Sequence, residues 1–93
     1  MHTSSGRHGI DTVVVNELGL HARAAAKVAK AAAGARGPVW LVRNGTRVDA
    51  SSVIDILTLA CAKGAEIRFE ADNPADALLL EKLVDLVARG FDE

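Results

Sequence analysis

"EIRFE", residues 66–70, alternates without a break: Ile67 and Phe69 fall on one side, Glu66, Arg68 and Glu70 on the other. A period of two is that of a β-strand, and charge at every second position predicts a sheet with one face in water. The apolar face of such a sheet must be covered. Upstream, "VWLVRNGTRVDA" (39–50) sets two strand-like runs around Asn44-Gly45, both of which tolerate positive φ. That pattern predicts a hairpin closed by a type I′ turn. "TVVVN" (12–16) is a β-branched run long enough for one more strand.

The segments between these strands have helical spacing. Ala25, Val28, Ala29 and Ala32 recur at i, i+3, i+4 and i+7, with Gly34 or Gly37 available as terminator and Pro38 blocking continuation. Ser51 and Ser52 open "VIDILTLA", with Ser52 and Asp55 spaced like a capping box. In "DNPADALLLEKLVDLVARG" (72–90), Asn73 suits the N-cap, Pro74 the first helical position, and Arg89-Gly90 the C-terminal end. Leu80, Leu83, Val84 and Val87 make its core stripe. The order strand, helix, hairpin, helix, strand, helix, with one sheet face wet, predicts an α+β two-layer domain with its helices on the other face.

Ninety-three residues suffice for one domain, read as 11–93, preceded by a flexible polar tail over residues 1–10. The net charge of −1 and only three aromatics, Trp40, Phe69 and Phe91, argue against a nucleic-acid binder. A single cysteine, Cys61, excludes an internal disulfide framework and a multi-cysteine metal cluster, and fits a reducing compartment. "MHTSSGRHG" (1–9) has no apolar core of a secretory signal, and no run approaches the ~18 apolar residues of a membrane span. The expectation is a cytoplasmic protein without membrane insertion.

The residues that point to chemistry stand in "NELGLHARAAAKVAKAAAG" (16–34). His21 falls at the expected N-cap of an alanine-rich helix, where free backbone N–H groups and the helix dipole form an anion site. Gly19 permits an unusual backbone conformation just before it. Arg23 places a cation in the first turn, against the dipole, at ~0.3–1 kcal/mol if nothing compensates it. Lys27 and Lys30 follow at i+4 and i+7 from Arg23, so like charges share a face. A local rule broken without structural gain marks function, and the missing compensation is an anion. A neutral imidazole offers a ring lone pair as nucleophile, and the same positive field would hold a phosphoryl group once attached. No carboxylate or second histidine stands at metal-ligand spacing near His21, and no Ser-His-Asp set suggests a hydrolase. No metal or cofactor is expected.

"GLHARAAA" resembles the phosphohistidine signature of the HPr family, small phosphocarriers of the phosphoenolpyruvate-dependent phosphotransferase system. "SVIDILTLA" (52–60) is similar to the family's serine-site segment, at the right distance and in the right order. The resemblance runs from Asp11 to the end of the chain. It implies an open-faced β-sandwich of order βαββαβα, a four-stranded antiparallel sheet with three helices on one face. It implies a phosphocarrier rather than an enzyme. His21 would accept a phosphoryl group through Nδ1 from enzyme I and pass it to an enzyme IIA protein or domain, with Arg23 steadying the phosphate. Ser52 matches the serine modified by HPr kinase/phosphorylase in many members, a third partner.

The match departs from the family at two positions. Ala24 stands where proline is frequent, and alanine should retain the turn. Leu18 stands before Gly19 where many sugar-pathway members carry Asn. "NELGLHAR", "SVIDILTLA", "AKG" and "GFDE" are more similar to the nitrogen-related branch, NPr, so both sugar uptake and a regulatory phosphorelay stay open.

The segment after Ser52 carries more apolar residues than two turns can bury. Ile56 and Leu59 are assigned to the core, and Val53, Ile54 and Leu57 to partner contact beside His21. Arg23, Lys27 and Lys30 would steer acidic partners to the same place. The carrier is expected to be a monomer. The competing reading is a non-covalent regulatory module that uses the apolar patch and not His21.

Overall fold

The computed structural model describes residues 8–93. Along the chain come β1 (His8–Val13), α1 (Ala22–Ala32), β2 (Val39–Arg43), β3 (Thr46–Asp49), α2 (Val53–Thr58), β4 (Glu66–Ala71) and α3 (Ala77–Ala88). Short 3-10 turns, Pro74–Asp76 and Gly90–Asp92, precede and follow α3. The strands form one antiparallel sheet in the order β1-β4-β2-β3, with the three helices packed on one face.

The alternating pentad belongs to β4, an interior strand. Ile67 and Phe69 are buried, Glu66 is exposed, and Arg68 on the open face donates from Nε to Glu70 at 3.1 Å and from Nη1 to Asp11 at 3.3 Å. The hairpin of β2 and β3 closes through Asn44 (φ 50°) and Gly45 (φ 80°), both left-handed as a type I′ turn requires. On the open face Arg47 lies over the Trp40 ring, 4.3 Å from its centroid.

Alanine dominates the buried face of α1: Ala24, Ala25, Ala29 and Ala32 leave only Val28 as a larger buried side chain. Small residues let the helix approach its neighbours closely. The bulk of the core comes instead from Phe69, Phe91, Leu41, Ile56, Leu80 and Leu83, all fully buried. Each such side chain contributes about 1.5–3 kcal/mol relative to exposure. Within α3, Leu80, Leu83 and Val87 form the stripe, and Val84 is half-buried beside it.

Four details differ from the sequence reading. β1 begins at His8 and ends at Val13, so residues 8–10 of the predicted tail lie in the sheet, and Val15-Asn16 lie beyond the strand. The cause is the partner: β4 offers Ala71 opposite His8 and Glu66 opposite Val13, and β1 extends as far as that pairing. The rest of the predicted tail, residues 1–7, falls outside the described residues. α1 ends at Ala32 with Ala33 as its C-cap and no left-handed glycine, its last turn tightening through Gly34 N–H to Ala31 O (3.2 Å) and Ala35 N–H to Ala32 O (3.1 Å). Asn73 does cap, but it caps the 3-10 turn, accepting from the Ala75 N–H at 2.9 Å, and α3 starts only at Ala77. Finally, the capping box is half-formed: Ser52 Oγ accepts from the Asp55 N–H at 3.2 Å, while the Ser52 N–H goes to Asp49 O at 3.1 Å.

Candidate functional site

The loop from Val14 to Leu20 delivers His21 to the start of α1. Gly19 has φ 65°, and a Cβ there would meet the Cys61 carbonyl oxygen at 2.4 Å. Only glycine satisfies both the left-handed backbone and that approach. The next residue closes the contact, with the Leu20 N–H donating to Cys61 O at 2.8 Å. Two segments far apart in sequence are thereby pinned together, and the end of α2 is set beside the start of α1. Arg43 secures the same junction by donating from Nη1 to Leu59 O (2.8 Å) and Ala60 O (3.2 Å). Burial pushes the Cys61 thiol up from its ordinary value despite nearby Arg43, so the cysteine packs at this junction as a protonated thiol.

His21 is the N-cap of α1. Its backbone is extended (φ −73°, ψ 179°), its carbonyl accepts from the Ala25 N–H at 2.8 Å, and its ring Nδ1 faces the Arg23 N–H at 3.3 Å. An imidazole stands where serine or aspartate commonly caps. The first turn of α1 holds no acidic residue. The Arg23 side chain is exposed and has no ion pair among the described residues. The Arg23 N–H thus lies on the Nδ1 side of the imidazole, and Arg23 lines the same depression as the ring.

Nε2 looks the other way and hydrogen-bonds the Glu93 carboxylate through Oε2. The second oxygen of that carboxylate, Oε1, accepts from Asn16 Nδ2 at 2.9 Å. The same Asn16 nitrogen donates to Gly19 O at 2.9 Å, so two acceptors fix the amide's orientation, with Oδ1 left buried and without a partner among the described residues. Hydrogen bonds from His21 and then Asn16 hold the Glu93 carboxyl below its ordinary value.

Glu93 reaches this position through an unusual turn. Gly90, Phe91 and Asp92 all have φ near 60°, and the buried Phe91 ring anchors the turn in the core. Lys27 donates from Nζ to the Phe91 carbonyl. Asp92 accepts from Arg89 Nε at 3.0 Å, a bond that lowers the Asp92 carboxyl from its ordinary value.

The predicted site residues therefore divide. His21 and Arg23 stand together at the helix entrance, on a depression also lined by Leu18, Ala22, Lys27, Asp92 and Glu93. Lys27 is engaged with the C-terminal turn, and Lys30 lies in the last turn of α1, where it complements the dipole. Ser52 caps α2. Of the assigned contact residues, Ile54 is 74% exposed and Leu57 40%, whereas Val53 is half-buried and packs against the core. Ile56 is fully buried and Leu59 partly so. Sequence reasoning missed Asn16, Glu93 and the apolar role of Leu18, which is 70% exposed and shares a shallow recess with His21 and Leu57. The one available signal was Asn16, a polar residue closing an apolar run.

Comparison with known proteins places the fold in a family. Residues 10–89 match the family model described as "PTS HPr component phosphorylation site". The chain is 39% identical over 83 residues to the phosphocarrier protein HPr of Cupriavidus necator, covering 89% of this chain and 93% of that one. It is 42% identical over 82 residues to the phosphocarrier protein NPr of Escherichia coli K12, covering 86% and 90%. Among solved structures it resembles HPr-C-His from Thermoanaerobacter tengcongensis, with a TM-score of 0.87, 27% identity and coverage of 92% and 97%. HPr from Bacillus anthracis gives a TM-score of 0.82 at 25% identity, covering 89% and 99%. Sheet, helices, motif and relatives agree: the chain belongs to the HPr family of phosphocarrier proteins of the phosphotransferase system.

Proposed function

We propose that His21 is the phosphoryl acceptor and donor of this carrier. The observation that carries the reading is the pairing of a nucleophilic Nδ1 with an anion site that no side-chain carboxylate of the first turn occupies. In the inward step the Nδ1 lone pair attacks phosphorus on phosphorylated enzyme I. The N–P bond forms, the donor's bond to phosphorus breaks, and its electron pair leaves with the donor. The new phosphate lies beside the Arg23 guanidinium and the first-turn amides, whose charge and donors stabilise it. The outward step reverses this toward an enzyme IIA protein or domain.

Partners approach over Leu18, Ile54 and Leu57, with Arg23 giving the rim a positive charge. The carrier acts as a cytoplasmic monomer. Ser52 fulfils a capping role, and a kinase that modified it would displace the bond to the Asp55 amide and set phosphate beside the Asp55 carboxylate. HPr and NPr relatives match at nearly equal identity, which favours the step common to both branches over either pathway.

The test is incubation with phosphoenolpyruvate and enzyme I, followed by measurement of acid-labile label. Label is expected on the parent protein and none on His21→Ala. An unlabelled parent, or equal label on the variant, overturns the reading.

A further inference from the structure

Resting on the reading of His21 as phosphoryl acceptor, we infer that Glu93, oriented by Asn16, is a positioning residue that holds the His21 ring in its Nε2–H form and so keeps the Nδ1 lone pair aimed at the incoming phosphorus. The two ring nitrogens have different partners. Nδ1 faces a backbone N–H, which can only donate, so this nitrogen must be the acceptor. Nε2 faces a carboxylate oxygen, which in its ionised form can only accept, so this nitrogen must carry the proton. Both contacts demand the same tautomer. It leaves the lone pair on the side of the ring that faces the Arg23 amide at the start of α1.

The carboxylate is itself held in place. Asn16 Nδ2 donates to its other oxygen at 2.9 Å, and Asn16 is fixed in turn by Gly19 O at 2.9 Å. Beneath it, the Glu93 N–H donates to Gly90 O at 3.2 Å, and Phe91 is fully buried. The sequence Asn16, Glu93, His21 repeats the logic of a nucleophile or base oriented by a third group. The charged groups facing the ring are Arg23 and Lys27 from α1, and Asp92 and Glu93 from the C-terminal turn. Of these carboxylates, Asp92 is bound to Arg89 and Glu93 alone bonds the ring.

The arrangement is compatible with both states of the carrier. When the N–P bond forms at Nδ1, the Nε2 proton stays in place, shared with Glu93. When that bond breaks in the outward step, the electron pair returns to Nδ1 and the ring regains its starting tautomer. No proton has to be found or lost at Nε2 in either direction.

The experiment records long-range ¹⁵N spectra of the His21 ring in the parent, Glu93→Ala and Glu93→Gln. It also measures the initial rate of phosphoryl uptake from phosphorylated enzyme I. The parent should show the Nε2–H pattern alone. Glu93→Ala should show a detectable share of the Nδ1–H form and uptake slowed about tenfold, the scale of one lost charge-assisted hydrogen bond. Glu93→Gln, whose amide oxygen can still accept from Nε2–H, should restore the ring pattern and part of the rate. A ring pattern unchanged in Glu93→Ala, or an unchanged rate, overturns the inference. If the parent takes up no phosphate while the ring pattern shifts as described, the phosphocarrier reading falls and the tautomer control stands.

Discussion

The entrances of α1 and α2 are built alike, although the start of α1 lies beside the end of α2. Each begins with an extended residue whose side chain accepts from a nearby backbone amide: His21 Nδ1 from Arg23 at 3.3 Å, Ser52 Oγ from Asp55 at 3.2 Å. Their first turns have opposite charge. α2 carries Asp55, which satisfies the positive end of its dipole. α1 carries Arg23 and no acid. The acidic entrance is complete as it stands, and its serine is a cap. The basic entrance has no carboxylate in its first turn, and on the proposed reading its capping atom is also the nucleophile. Similar capping geometry thus serves a structural element in one place and, on the proposed reading, a reactive one in the other, and the cap residue and the sign of the first-turn charge separate them.

Reversing that sign is the sharpest way to break the contrast. Arg23→Glu makes the start of α1 resemble that of α2 and gives the helix dipole a favourable partner. The folded state should be as stable as the parent or slightly more so in urea. Phosphoryl uptake from phosphorylated enzyme I should fall about 100-fold, equivalent to ~2.7 kcal/mol of transition-state stabilisation. A rate close to the parent's would mean that the amides alone hold the phosphate and that charge does not distinguish the two entrances.

The elements of this comparison were legible in the sequence to different degrees. The hairpin, the alternation of β4, the stripe of α3 and the histidine-arginine entrance are local patterns, complete within a few neighbouring residues. Periodicity and turn chemistry read such patterns directly. β1 was misplaced because the most β-branched run, Val13 to Val15, straddles the strand's end. Where β1 starts and stops depends on pairing with β4, more than fifty residues away. The Asn16–Glu93–His21 chain is less legible still. It joins residues 77 and 72 positions apart, and no spacing rule brings a residue at position 93 to a helix start near position 21. Val53 was placed on the surface because a six-residue helix shows too little of its period to tell a half-buried position from an exposed one.

A smaller effect is expected at the other entrance. Ser52→Ala removes a cap whose loss costs ~1 kcal/mol. Urea denaturation should register that loss, and uptake at His21 should stay within about twofold, since the two caps share no hydrogen bond. A large fall in uptake would show that α2 positions the phosphoryl site itself, and the division into cap and site would fail.

The smallest effect concerns what closes each entrance from outside. The α2 cap is a hydroxyl, which does not titrate in this range. The α1 entrance is closed by Glu93, whose carboxyl is held below its ordinary value of 4.5 by hydrogen bonds from His21 and Asn16, and the neighbouring Asp92 is lowered from 3.8 by Arg89. A carboxyl with a depressed folded-state pKa contributes stability that is fully present above its unfolded value and is lost as pH falls through the folded one. The C-terminal turn should therefore be intact above about pH 5 and loosen as the medium is taken below the ordinary carboxylate range. Asp49, lowered by its bonds from Ser51, titrates in the same direction near α2, but it holds the 49–52 turn and leaves the Ser52 cap bond in place. In an acid titration followed by NMR, the Asn16 side-chain amide and the Phe91–Glu93 amides should move together as the bonds to Glu93 are lost, while the bulk of the sheet stays folded. If the Asn16 amide responds without the C-terminal turn, Glu93 does not close this entrance, and α1 is as self-contained as α2.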